Sequence, residues 1–482
     1  MTTQMMLLAI SLPSVTQLTN RLSELYKSEV YKMPVTSLHP LYKKMESDWD
    51  IMAEALDGED AVKANPNRLR KTEGMMEAER VSQDNAYIYK SYLHRAEYPH
   101  WVKDGLRTMM GLVSRLTPEI VLPERMESMR ENATADGFGL VQLFQRTVAA
   151  SLGYGRNVLL VDVDDNQLPF VAVYGAKDAT NWKESLVDGR KDLTLTVLQE
   201  LKSKSSDEFS HESETVYRVL DLEDGIYRAR VVNSAGADVD EEKRPGMYGA
   251  NGELVRGLDY IPIVFSGSTD NSPDPDEIPL LSMAKAALKY YELSADYYQA
   301  LHRTAHPQPW VSGLSEDQNL RVTGPSAAWA LPQDAQCGYL EITGNGIEKI
   351  KSAMDTQRSS ALESGAKVMD VGGIESGDAR RARQDDQQAT LHTVVMTAAE
   401  AVEQCLRFAA QFMDIDPDEV KFAVKPDFVV ADVDPQMAAQ LLQAVMAGKV
   451  SNESYWTYIG TGKLPERSWE DEFLMIDNAG GI

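Results

Sequence analysis

Any chemistry in this chain would have to come from few side chains. Its seven histidines (His39, His94, His100, His211, His302, His306 and His392) fall at no metal-binding spacing. His302 and His306 stand four apart near a predicted helix end and could share a metal. With Arg303 between them and Pro307 following, a cap or interface role fits better. Asp162, Asp164, Asp165 and Asn166 open like a calcium loop, but Gln167 stands where the sharp turn needs Gly and Val173 where a bidentate Glu is needed. A hairpin turn joining Val158–Val163 to Leu168–Tyr174 accounts for them. Gly153-Tyr154-Gly155 looks like half of a dinucleotide fingerprint in reversed order. These glycines follow a predicted helix, Leu140–Leu152, and precede a strand, Asn157–Val163, so they read as a helix stop. There is no Gly-x-Ser-x-Gly elbow and no Gly-x-x-x-x-Gly-Lys loop. No cofactor or metal site is implied, and the prior for an enzyme falls, although a site assembled in space from distant residues is not visible to motifs.

Nucleic-acid contact has two candidate carriers. Tyr87, Tyr89, Tyr92, Tyr98 and Trp101 interleave with Lys90, Arg95 and Lys103. Such a run can stack bases, but these spacings suit core and interface better. The densest positive charge lies in Asp370–Gln388, where Arg380, Arg381 and Arg383 follow Gly372-Gly373 and Gly377. It reads as a flexible loop whose arginines meet either DNA or their neighbours Asp378, Asp385 and Asp386. The net charge of -26 argues against tight gripping of nucleic acid, because phosphate binding is driven by Lys and Arg displacing counterions. A conduit through which a duplex slides has the opposite need, a wall that is mostly repulsive or neutral.

The elements that would position these residues centre on Pro279 to about Gln411. Leu281, Ala284, Leu288, Tyr291, Ala295 and Tyr298 draw one stripe down a helix that begins near Pro279 and ends near Thr304, before His306-Pro307. A second helix, about Glu348–Lys367, carries Ile347, Ile350, Met354, Ala361 and Leu362 on one face and Lys349, Lys351, Asp355, Arg358 and Glu363 on the rest. Between them Trp310–Val311, Ala327–Leu331 and Tyr339–Ile342 alternate with Gly313, Gly324-Pro325 and Gly338, which reads as short strands and turns. This is a stalk bearing a small lobe, and the apolar stripe needs cover from the returning helix or from a neighbouring subunit.

Elsewhere, helical patterns cover 14–58, ended by Asp57-Gly58, and Tyr98–Arg115. Strands are predicted at Leu193–Leu198, Val216–Leu222 and Ile226–Val232, the last two joined by Glu223-Asp224-Gly225. Ser206–Glu214 and Ser234–Pro245 read as exposed loops. Leu391, Val394, Val395, Ala398, Val402, Cys405, Ala409 and Phe412 mark a buried returning helix. Val420–Val433 reads as strand, Asp434-Pro435 opens a helix to Ala447, and Ser451–Ile459 and Pro465–Asp477 are short helices. The fold class is α+β.

Several of these stretches resemble, in order, segments of the portal proteins of tailed bacteriophages, the head-to-tail connectors. They are Trp49 with Leu56-Asp57-Gly58-Glu59-Asp60-Ala61-Val62, then Arg95–Gly111, Leu152–Val163 (LGYGRNVLLVDV), Asn181-Trp182 and Ile261–Val264. There follow Pro279-Leu280-Leu281, Ser294-Ala295-Asp296-Tyr297, Leu301–Gly313 (LHRTAHPQPWVSG), Asp427-Phe428 and Gly448-Lys449-Val450-Ser451. Each is weak alone, and their collinear order is specific. One departure stands after Val62, where a Tyr-Leu-Pro segment is replaced by Asn67-Arg68-Leu69-Arg70-Lys71.

The resemblance implies a wing in 1–275 and 389–433, a stem of helices 276–305 and 347–369, a clip at 306–346, a tunnel loop at 370–388 and a crown at 434–482. It further implies a ring of about a dozen subunits at one capsid vertex, passing double-stranded DNA during packaging and ejection. Leu281, Leu288, Tyr291 and Tyr298 would lie between subunits in the stem. Trp310, Glu316, Asp317, Gln333 and Asp334 of the clip would dock the terminase large subunit and later the head-tail adaptor. Arg380, Arg381 and Arg383 would face the channel, making transient contacts independent of sequence. Major capsid and scaffolding proteins would be further partners, and the particle, assembled in host cytoplasm, the location. A non-viral scaffold or binding protein oligomerising through a helical hairpin is the alternative.

Composition is compatible: 482 residues that are 43% hydrophobic can bury a large core, and the length suits two or three lobes. Two cysteines, Cys337 and Cys405, form no disulfide framework and read as free thiols. Met1–Pro13 has only a short apolar run without a basic lead-in, and no stretch reads as a membrane span.

Overall fold

The computed structural model describes residues 33–187, 189–204, 209, 211–249, 251–304, 308–313, 334–340, 345–366, 377–426, 435–446, 449–461, 464–465 and 467–479. Helices α1 (Pro40–Asp57), α2 (Glu59–Ala64), α3 (Glu73–Val81), α4 (Ala86–Arg95) and α5 (Trp101–Val113) lead to strand β1 (Glu119–Val121) and helix α6 (Leu140–Tyr154). Strands β2 (Arg156–Val163), β3 (Pro169–Tyr174), β4 (Ala179–Val187), β5 (Arg190–Ser203), β6 (Ser213–Glu223) and β7 (Ile226–Val232) follow, then β8 (Gly246–Tyr248), β9 (Leu254–Gly257) and β10 (Ile263–Gly267). After them come α7 (Leu281–Thr304), β11 (Gln308–Ser312), β12 (Gln336–Leu340), α8 (Asn345–Ala361), α9 (Gly377–Phe412) and β13 (Lys421–Ala423). Last are α10 (Pro435–Met446), α11 (Asn452–Thr461) and α12 (Trp469–Ala479). The chain divides into two units, the larger comprising residues up to Met110 and Pro118–Ala423, the smaller Gly111–Thr117 and Val424–Ile482.

The core of the larger unit is the antiparallel sheet β10-β2-β3. The first six residues of β2 are all buried, so both of its faces are covered. Helices α6 and α9 pack on this sheet and on each other. The three-and-four spacing of Leu391, Val394, Val395, Ala398, Val402, Cys405, Ala409 and Phe412 buries each of these side chains, as the sequence predicts. Burial pushes the Cys405 thiol pKa well up, so it is inert, and both cysteines are free.

Local sequence rules explain the remaining turns. Helix α6 stops at Gly155, whose φ of 68° is the left-handed conformation of a helix C-cap. The aspartates after β2 hold a turn: Asp164 Oδ1 accepts from the amides of Asn166 and Leu168, both at 2.8 Å. Asp224 and Gly225, at φ 53° and 78°, close the two-residue hairpin β6-β7. That hairpin belongs to the meander β4-β5-β6-β7, two strands of which are longer than predicted and one of which, β4, is not predicted at all. Its three consecutive polar residues Lys183, Glu184 and Ser185 break the apolar alternation and hide it. In the segment replacing Tyr-Leu-Pro, Leu69 is buried and Arg68 pairs with Glu54 on α1.

In the smaller unit, α10 packs on α11. Glu472 at the start of α12 accepts from Ser451 N and Ser454 Oγ, each at 2.8 Å, capping α11 from across the turn. Trp456, Trp469, Phe473 and Leu474 are exposed. Of the predicted strand Val420–Val433, only Lys421–Ala423 is strand, paired with β1, while 427–434 lie outside the described residues. The helical pattern of residues 14–32 also lies outside them.

Candidate assembly site: the stalk, its tip and its root

The outgoing helix α7 is 24 residues long, about 36 Å at 1.5 Å per residue. It starts at Leu281, two residues after Pro279, and ends at Thr304 as predicted. Its buried residues are Met283, Ala284, Ala286, Ala287, Tyr291, Ser294 and Ala295. The small ones let it approach α1, α4 and α8. Polar ties fix its register: Tyr92 OH donates to Asp296 Oδ1 at 2.6 Å, Arg95 Nη1 to Gln299 Oε1 at 2.9 Å, Glu97 N to Ser294 Oγ at 2.9 Å, and Lys285 pairs with Asp48 at 2.9 Å. Much of the aromatic run 87–101 is therefore packing: Tyr92 and Tyr98 are buried and Trp101 meets Tyr290 edge-on at 5.1 Å, while Tyr87 is exposed.

Of the four residues read as lying between subunits, Tyr291 is corrected. It is 0% exposed within its own chain, edge-on to Tyr98 at 6.2 Å, because α4 and the turn after it cover the stripe that the sequence left bare. Leu281, Leu288 and Tyr298 are half-buried. Tyr298 OH donates to Glu97 Oε2 at 2.7 Å, and that bond is the main reason its pKa is pushed up to about 12.

The returning helix α8 packs against α7; its Met354 and Ala361 are buried and Ile347 and Ile350 half-buried, while Glu348, Lys349, Lys351, Asp355 and Arg358 are exposed. It then loosens into a π turn, Leu362–Ala366, in which Gly365 takes φ 130°. Only glycine adopts that angle readily, so this position ends the helix.

At the tip, β11 and β12 pair antiparallel, with Trp310 opposite Gly338. The indole lies over the bare Gly338 backbone, where an added Cβ would come within 3.1 Å of Nε1. Trp310 stays 42% exposed, and Asp334 is exposed at the turn before β12. Glu316, Asp317, Gln333 and His306 lie outside the described residues, as does the Ala327–Leu331 run. His302 sits in the last turn of α7, a position that suits a helix-end role.

The arginine-rich stretch is also corrected in part. From Gly377 onward the backbone is helical, so Arg380, Arg381 and Arg383 stand on the first turns of α9 and not on a loop. Ala379, Ala382, Gln384, Gln387 and Ala389 are strong helix formers, and their propensity outweighs the single glycine at the start. Residues 367–376, with Gly372-Gly373, lie outside the described residues.

Motif reading missed the root of the stalk, where a strap, Ser268–Leu280, feeds α7. Arg156, 1% exposed at the start of β2, donates from Nη1 to Pro273 O at 3.1 Å and from Nη2 to Ala179 O at 3.0 Å. Its guanidinium lies 4.3 Å from the Trp182 ring and 5.0 Å from that of Phe265. Trp182 Nε1 donates to Asp274 Oδ1 at 3.2 Å, and His39 stacks on the Trp182 ring at 3.8 Å. Burial pulls the Arg156 pKa down to about 9, with Asp274 opposing, so the group stays charged at neutral pH. Gly155 completes the seat: an added Cβ would lie 2.8 Å from Asp276 O. Ser268 Oγ donates to Glu277 O at 2.7 Å, and Asp276 Oδ2 accepts from Thr269 N at 2.7 Å. The stretches LGYGR and Asn181-Trp182 already contained these residues, but an arginine opening a buried strand carries no signal until its partners are known.

Among the described residues no group of three or more His, Cys, Asp or Glu could hold a metal ion, and no helix is long and apolar enough to cross a membrane.

Residues 279–413, which hold α7, β11, β12, α8 and α9, match the domain of unknown function DUF4055. No curated protein matches the chain. Among solved structures, the chain is similar to a chain in the neck of a native GTA particle computed with C12 symmetry, at 13% identity and a TM-score of 0.38, over 76% of this chain and 90% of that one. A chain in the neck of an empty GTA particle computed with C6 symmetry gives 14%, 0.39, 75% and 89%. A chain from the virion of a native gene transfer agent particle gives 14%, 0.39, 76% and 90%.

Proposed function

We propose that this chain is a portal subunit: it forms a closed ring at one capsid vertex, passes double-stranded DNA during packaging and ejection, docks the terminase motor and later the head-tail adaptor, and hydrolyses nothing itself. The observation that carries this reading is the stalk, two antiparallel helices with a two-stranded ribbon between them and a strap locked into the body at the root. Helix α8 buries one narrow stripe against α7 and leaves its other faces in solvent. A helix so thinly packed gains its stability from further neighbours, which adjacent copies in a ring supply. The acidic balance of the chain suits a wall past which DNA slides. Arg380, Arg381 and Arg383, at the start of α9, are the channel-facing candidates in this reading, with major capsid and scaffolding proteins as assembly partners.

The clip assignment is tested by deleting Ser315–Gly324, between β11 and β12. The variant is expected to fold and assemble like the wild type while binding of the terminase and packaging of DNA are lost. Packaging at the wild-type level would place the motor's contact elsewhere.

A further inference from the structure

We propose that His39, Trp182, Asp274 and Arg156 form a pH-gated latch that holds the entry segment 33–39 and the strap 268–280 to the body, closed while His39 is neutral and released when its imidazole gains a proton. The latch does not depend on the portal reading.

His39 is the N-cap of α1, and its Nδ1 accepts from Leu41 N at 3.3 Å. Only an imidazole with a free lone pair can do this, since both ring nitrogens donate in the cation. Protonation therefore removes the cap and places a positive charge at the helix end that disfavours one. The same ring stacks on Trp182, which also carries the Arg156 guanidinium and donates to Asp274 on the strap. Backbone ties complete the segment's attachment, with His39 N donating to Thr180 O at 3.0 Å and Asn181 Nδ2 to Ser37 O at 2.9 Å.

Asp274 and Arg156 are the charged groups acting on the imidazole, and Lys183, Glu184 and Lys191 line the same cleft. Burial lowers the His39 pKa, Asp274 raises it, Arg156 lowers it again, and the balance falls below the ordinary 6.5. The folded latch thus binds a proton less readily than the unfolded segment. Its stabilisation is full above pH 6.5 and is lost as pH falls from there through the lower pKa of the folded state.

Hydrogen exchange of the full chain at pH 7.5 and 5.5, corrected for intrinsic rates, tests this. In the wild type, peptides covering 33–45 and 268–280 are expected to exchange roughly fivefold faster at pH 5.5, the factor that losing one N-cap represents, while strand 156–163 is unchanged. His39→Asn, which caps without titrating, should hold both peptides at both pH values. Asp274→Asn, which removes the carboxylate that favours the imidazolium and so lowers the folded pKa further, should make the acid loss larger than in the wild type. Equal wild-type protection at both pH values, the same acid loss in His39→Asn, or an acid loss in Asp274→Asn no larger than in the wild type would each overturn the latch.

Discussion

Tyr291→Asp is expected to abolish folding of the chain, not merely its assembly. The side chain is fully buried against Tyr98, with Ser294 and Ala295 of the same helix also buried. A carboxylate there finds no cationic partner in the contacts Tyr291 makes, and burying it costs more than about 4 kcal/mol, comparable with the whole stability of many domains. Tyr291→Phe keeps the ring and should stay within about 1 kcal/mol of the wild type, because no protein group bonds the hydroxyl. Denaturant unfolding followed by circular dichroism checks both. A soluble Tyr291→Asp protein with a wild-type midpoint would return Tyr291 to an inter-subunit surface, where the sequence first placed it. The half-buried Leu281, Leu288 and Tyr298 remain the stem candidates for that surface.

Arg156→Ala should cost about 3–5 kcal/mol, because it leaves Pro273 O and Ala179 O without their buried donor and opens a void between Trp182 and Phe265. Lysine should recover only a small part of this. One ammonium cannot offer the planar fork that reaches two carbonyls while stacking on an indole. Equilibrium unfolding measures the loss, and the strap should show it first as proteolytic sensitivity near Pro273. If Arg156→Ala unfolds within about 0.5 kcal/mol of the wild type, the strap is held by its own turn hydrogen bonds and Arg156 is incidental.

What was legible in the sequence follows from how local each signal is. The span of α7, the stop at Gly155, the hairpin at Asp224-Gly225 and the buried face of α9 rest on spacing within one element, and all appear in the structure. Burial between elements was not legible. The stripe through Tyr291 looked bare because nothing in its own helix says that α4 and Glu97 lie against it. The arginine-rich stretch reads as a loop because Gly372-Gly373 and Gly377 precede it, yet the alanines, arginines and glutamines after Gly377 favour helix. The root of the stalk was invisible for the same reason. Arg156, Trp182 and Asp274 are 26 and 92 residues apart in sequence, in that order. The pairing of β2 with β10 sets Arg156 opposite Gly267, just before the strap, and the bond from Arg156 to Ala179 O brings in β4 from a separate sheet.

The central claim, that this chain assembles into a portal-type ring, is tested most directly by the mass of the purified assembly in solution. A closed ring of about a dozen copies, with no substantial monomer or dimer, is the predicted result. A stable monomer, or a dimer joined through the α7–α8 hairpin, would contradict it and leave a scaffold or binding protein in its place.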